Sequence, residues 1–141
     1  MAFALGATSR ARLQGVHPDL VRVVERALQL SPVDFRVECG VRTPAEQAAL
    51  YAQGRTKPGP KVTWTLNSRH LVNRRTGYGH AVDLLPLPID WNNLVPFNQV
   101  AQAMFAAAEE LGVRITWGAD WDRDGKPRER GESDSPHFEL A

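Results

Sequence analysis

The sequence predicts an α+β fold: one domain over residues 1–141, with a small, mainly antiparallel sheet and helices packed on it. Three observations predict it. Segments of helical period and segments of two-residue alternation are both present, yet they do not follow the regular strand-helix-strand order of a parallel sheet. The 141 residues are 43% apolar and 23% charged, the balance of an ordinary globular domain, and at such a length roughly 68% of the unfolded surface can be buried. Finally, no internal repeat and no low-complexity linker divides the chain.

Residues 17–30, HPDLVRVVERALQL, place Leu20, Val23, Val24, Ala27 and Leu28 on one helical stripe, with Pro18 suited to the first turn. DFRVECGVR alternates as a half-buried strand, with Phe35, Val37, Cys39 and Val41 on one side and Arg36, Glu38 and Arg42 on the other. Thr43-Pro44-Ala45-Glu46 is a capping box opening a helix through Leu50 and Tyr51 that Gly54 can end, so the strand-to-helix corner falls at Arg42. Residues 55–75, rich in Pro, Lys, Asn and Thr, read mostly as loop, and a long loop in a compact domain is often functional. HAVDLLPL is a short apolar strand. VPFNQVAQAMFAAAEELG is a helix with Phe97, Val100, Ala101, Met104, Ala108 and Leu111 inward and Gly112 as its stop. VRITWG is a strand, the polar stretch 119–135 a loop, and PHFELA the last strand.

Composition excludes several function classes. With 17 basic against 16 acidic residues the net charge is +1, too weak a field to argue for nucleic acid. No run approaches the roughly 18 apolar residues of a membrane span, and the N-terminus has no charged segment followed by a long apolar one, so no export signal is expected. One cysteine, Cys39, excludes an internal disulfide and a multi-cysteine metal site. Any metal must be held by His and carboxylate.

The four histidines can be weighed singly. His17 begins a helix and reads as structural. His70 stands in a loop, His80 and Asp83 lie in GYGHAVD, and His137 lies in SPHFEL. Alternation in the last strand buries Phe138 and Leu140 and turns His137 and Glu139 toward the opposite face. A catalytic zinc needs three protein ligands and one open position, and His70, Asp83 and His137 fit that requirement. Asp134, three residues before His137, could then act as general base toward water. His80 competes with His70, but positions 80 and 83 point to opposite faces of an ideal strand, which favours His70.

Ser68-Arg69-His70, Gly79-His80-Ala81-Val82-Asp83 and Asp134-Ser135-Pro136-His137-Phe138-Glu139-Leu140 together resemble the signature of the zinc D-alanyl-D-alanine carboxypeptidase and L-alanyl-D-glutamate endopeptidase family, the VanY-like, hedgehog-type metallopeptidases. HPDLVRVV, VECGVRTPAEQAALYAQGRT and ITWGADWD are similar to it too, so the resemblance spans nearly the whole chain and is nearest to small single-domain phage endolysins. It implies a hedgehog-type fold, His70, Asp83 and His137 as zinc ligands, and Asp134 as catalytic base. It further implies Arg42 as the arginine that stabilises the reacting carbonyl or holds a substrate carboxylate, with Gln47 and Ser68 beside the substrate. One departure stands out. The family's first His lies seven positions before the Asp, whereas His70 and Asp83 are thirteen apart, with VNRRTGY inserted before Gly79.

The implied activity is hydrolysis of the L-alanyl-D-glutamate bond of peptidoglycan by a monomeric lysis enzyme, held in the host cytoplasm until the membrane is permeabilised, with no separate wall-binding module. The alternatives are a D-alanyl-D-alanine carboxypeptidase and a metal-stabilised wall-binding module without turnover, and the presence of Asp134 speaks against the latter. Some related endolysins resemble this chain in a regulatory calcium site. Asp120, Asp122 and Asp124, with Gly125 following, match the opening of a calcium loop, although its twelfth position is Gly131 and closure would fall to Glu129 or Glu132. Core filling is expected of at least two of Trp64, Trp91, Trp117 and Trp121. Arg74 with Arg75, and the run 128–130, read as solvated faces that could attract an anionic wall.

Overall fold

The computed structural model describes residues 3–129 and 132–141. Its elements are α1 (Ala7–Arg12), α2 (Pro18–Leu30), β1 (Phe35–Cys39), α3 (Pro44–Ala52), β2 (Ala81–Pro86), α4 (Val95–Leu111), β3 (Ile115–Trp117) and β4 (His137–Leu140). The strands form one sheet in the order β1-β2-β4-β3, and every neighbouring pair is antiparallel. The α+β architecture read from the sequence is the one observed.

Helices α2 and α4 lie against each other, and α4 covers β2 and β3. Leu20, Val23, Val24 and Leu28 meet Val100 and Met104 there, over Val37, Val82, Leu84 and Phe138 of the sheet, and all are buried. Each such side chain contributes about 1.5–3 kcal/mol by leaving water. The ends are fixed locally. The His17 ring accepts from the Asp19 amide at 3.1 Å to start α2, and Thr43 and Glu46 form the reciprocal capping box of α3. Gly112, at φ 69°, closes α4 in the left-handed region.

Two local expectations are corrected and one element is added. Leu111 is 38% exposed, because it sits on the last turn of α4 beyond the sheet. Cys39 does not share the core face with Phe35 and Val37: Val37 pairs with Leu84 but Cys39 with Asp83, so a bulge at Glu38 rotates Cys39 to the other face. Helix α1 was not apparent in the sequence, since ATSRAR has no apolar period. It covers edge strand β1 with polar groups, Ser9 Oγ accepting from the Val37 amide at 3.0 Å and Arg12 Nη1 donating to the Val37 carbonyl at 3.0 Å.

Among the described residues no helix is long and apolar enough to cross a membrane. The stretch between α3 and β2 is loop, as expected, and it carries His70.

Candidate active site

Strand β2 runs between β1 and β4, and its Asp83 stands opposite Cys39 on one side and His137 on the other. Val82 and Leu84 point into the core, so alternation turns Asp83 away from it. Alternation in β4 does the same for His137 and Glu139 on either side of buried Phe138. His70 arrives from the loop. Its amide donates to Ser68 Oγ at 3.1 Å, while its carbonyl accepts from the Arg42 amide at 2.9 Å.

These three side chains meet at one atom. Asp83 Oδ1 lies 3.4 Å from His70 Nε2 and 3.3 Å from His137 Nδ1, and the two rings stand edge to face with centroids 5.1 Å apart. The far nitrogen of each ring is already committed. His70 Nδ1 donates to the Gly40 carbonyl at 2.7 Å, and His137 Nε2 donates to Glu139 Oε1 at 2.9 Å. Those bonds fix the tautomers and leave two lone pairs aimed at a carboxylate oxygen. His70 Nε2 and Asp83 Oδ1 are buried with no hydrogen-bond partner. Acceptors held face to face in the interior need a proton or a cation between them.

Without a metal, protons take that place. Burial opposes charge on His70 and His137, but the hydrogen bonds and negative charge of Asp83 outweigh it, and the rings hold protons up to about 10 and about 9. Asp83 responds in the opposite sense. Burial would raise its carboxyl, yet the hydrogen bonds from His137 and His70 hold it well below the usual carboxylate range. A divalent ion fits the donor set, because two oriented imidazoles and one carboxylate are the chemistry of a hydrolytic zinc centre. Asp83, Asp134 and His137 offer donor atoms within 4.8 Å of one another, and so do Asp83, His70 and Cys39, making Asp83 the shared vertex.

Arg42 leans over this vertex from the β1-α3 corner. Its Nη2 lies 3.4 Å from Asp83 Oδ2 and its Nη1 donates to Gln47 Oε1 at 3.0 Å. Gln47 is completely buried, and its amide also donates to the Thr65 carbonyl at 2.7 Å. It does not reach the cleft as a substrate neighbour; it holds Arg42 and ties down the loop. Asp134 is half exposed at the rim, its Oδ2 3.9 Å from His137 Nδ1. Partial burial, followed by repulsion from Asp83, raises its pKa and makes it a better proton acceptor than a free carboxylate. His80 is not part of this group: it pairs with Thr76 Oγ1 at 2.8 Å and packs edge-on to His17.

A cleft of about 590 Å³ opens above the group, with Arg42, Trp64, Ser68, Trp121 and Asp134 in its walls. Trp64 is 76% exposed and lies between Arg55 and Lys61, and Trp121 leans on His137 at 5.3 Å. Of the four tryptophans only Trp117 fills the core, one fewer than expected, because Trp91 is 59% exposed and packs on Phe97 from outside. Glu139 shares its strand face with His137. Its bond to that ring, and its 3.5 Å ion pair with Arg69, follow from the same alternation.

Next to the cleft, Asp120, Asp122 and Glu132 bring carboxylates together, as do Asp122, Asp124 and Glu129. The hydrogen bond that its protonated form donates to Asp124, then burial and neighbouring negative charge, push Glu129 up to about 7. Gly125, at φ 81°, makes the sharp turn that lets its amide reach Asp120 at 3.0 Å. Gly131 and Arg130 lie outside the described residues.

The chain is 37% identical to the L-alanyl-D-glutamate peptidase of Escherichia phage T5, over all of both chains. It is 30% identical to the peptidoglycan L-alanyl-D-glutamate endopeptidase CwlK of Bacillus subtilis (strain 168), over 77% of this chain and 61% of that one. The crystal structure of the Serratia marcescens L-Ala D-Glu endopeptidase ChiX superposes with a TM-score of 0.75 at 35% identity, covering 99% of this chain and 91% of that one. The phage L-alanyl-D-glutamate peptidase family matches residues 1–141. From end to end, then, this chain belongs to the phage L-alanyl-D-glutamate peptidase family.

Proposed function

We propose that this chain is a zinc-dependent peptidase that cuts the L-alanyl-D-glutamate bond of peptidoglycan stems and serves in lysis of a bacterial host, with His70, Asp83 and His137 as the metal ligands. The observation that carries the reading is the pair of buried acceptors, His70 Nε2 and Asp83 Oδ1, left facing each other without a donor. When bound, zinc supplies Lewis acidity and lowers the pKa of water from 15.7 to about 7. Asp134 Oδ2 takes the proton of the attacking water and returns it to the nitrogen of the departing D-glutamate. Arg42 uses N–H groups not engaged by Gln47 and Asp83 to hold the scissile carbonyl oxygen as it gains charge. Gln47 positions Arg42, and Ser68 fixes the turn that presents His70 while lining the cleft.

The acidic loop 120–132 is proposed as a calcium site that orders the approach to Asp134. The converging carboxylates of Asp120, Asp122, Asp124, Glu129 and Glu132 support it, since hard oxygen donors in a turn suit that ion.

Digestion of purified muropeptides, read by mass spectrometry with zinc and calcium added separately, tests the scheme. The expected product is a free stem beginning at D-glutamate, formed with zinc and lost on chelation. Loss of a single terminal alanine would instead mark a carboxypeptidase, and intact muropeptides a binding module. The lysis role predicts clearing of permeabilised cells by the added protein. A monomer is expected in size-exclusion chromatography.

A further inference from the structure

The segment between His70 and His80 builds a second cavity. Residues 70–80 fold back as a closed hairpin. The Val72–Gly79 bridge and the 2.9 Å bond from the His80 amide to the Arg69 carbonyl seal its base. At its tip the Asn73 amide donates to the Tyr78 carbonyl at 2.8 Å, the Asn73 side chain accepts from the Arg75 amide at 2.8 Å, and Gly77 turns at φ 77°. A tip so bonded presents Arg74 at a set place.

Between this hairpin and the start of α3 lies a cavity of about 680 Å³. It joins the catalytic cleft through Arg42, Asn67, Ser68 and Arg69, which line both. Its walls carry three arginines, Arg42, Arg69 and Arg74, and no Asp or Glu among the described residues. The catalytic cleft, by contrast, holds Asp83, Asp134 and Glu139 beside Arg42, Lys61 and Arg69. An anionic group therefore meets carboxylates as well as cations over the reacting atoms, but cations without carboxylates in the hairpin cavity. In an L-alanyl-D-glutamate peptide one glutamate carboxyl continues the chain and the other stays free, on the same residue that carries the scissile nitrogen.

Resting on the peptidase reading above, we infer that the hairpin cavity is the subsite for the departing D-glutamate, with Arg74 the specificity-determining contact for its free carboxylate. Arg69 also pairs with Glu139, 3.5 Å away, so Arg74 is the residue whose change leaves the metal group's partners intact.

The test uses two stem peptides differing only in that carboxyl, free acid against primary amide. The zinc-loaded wild type should favour the free acid by about tenfold in kcat/KM, the size of one charge-assisted contact at an open site. The difference should lie in KM. In Arg74→Gln the ratio should fall to about one, whereas Arg75→Gln, changed at a residue lining neither cavity, should keep it. Equal rates for both peptides in the wild type, or an undiminished ratio in Arg74→Gln, would overturn the assignment. Failure to cleave either peptide would count against the peptidase reading instead. Calorimetric titration of the same peptides into zinc-free protein then reads the subsite directly: tighter binding of the acid supports it, and equal binding refutes it.

Discussion

Asp134 and Glu139 flank His137 and do opposite work on it. Asp134 faces the ring's Nδ1 edge from the rim, while Glu139 anchors Nε2 from beneath. Replacing Asp134 with Asn should spare zinc binding and slow turnover by roughly 10²–10⁴, the usual contribution of a general base. Metal analysis beside steady-state kinetics checks both halves. Glu139→Gln should weaken zinc affinity by roughly 10–100-fold, as loss of a ligand's outer partner does, measured by competition with a chelator dye. Protons supply a third prediction. Since both rings are protonated at pH 7 in the ion-free site, zinc uptake there should release about two protons, and calorimetry in buffers of different ionisation enthalpy counts them. The grouping of His70, Asp83, His137 and Asp134 was legible in the sequence because few residue types can hold a metal or move a proton. The commitment of Gln47 to Arg42 was not, since burial of that side chain depends on how loop 61–66 folds over it.

Elements place these residues through a few close contacts. Gly118, just after β3, donates to the His137 carbonyl at 2.7 Å and accepts from the Asp134 amide at 3.1 Å. A Cβ there would lie 2.9 Å from Asp134 Cβ and 2.9 Å from His137 Cβ, besides striking the Asp134 carbonyl. Gly118→Ala should therefore displace the base and lower kcat by about 10²-fold, the cost of a misplacement near 1 Å. A thermal melt run alongside separates this from unfolding. Helices α2 and α3 and the last strand were legible because period, caps and alternation are local signals. The bulge at Glu38 was not, because the pairing of β1 with β2 creates it, and neither was α1, whose polar contacts with an edge strand leave no apolar stripe to read.

For the whole molecule, ionisation of the group makes stability depend on pH. The two rings' folded pKa values are raised from 6.5 to about 10 and about 9, so in zinc-free protein their stabilising contribution is complete below about 6.5 and is lost as pH rises through 9 and 10. The depressed Asp83 carboxyl contributes above the ordinary carboxylate range and loses its effect on acidification. The melting temperature of chelated protein should accordingly fall from pH 6.5 toward pH 10, while the increment from added zinc grows as protons cease to compete. Scanning calorimetry with and without zinc shows both trends.

The pairing of Asp83 with His137 across the ladder has a consequence for how the protein is made. A strand slipped by one residue would send the acid inward and bring an aliphatic side chain outward, leaving the imidazoles nothing to share. Under the proposed ligand set, ion capture is thus a proofreading step for strand alignment. The zinc-to-protein ratio of a freshly refolded batch should count the molecules that found the right partner residues.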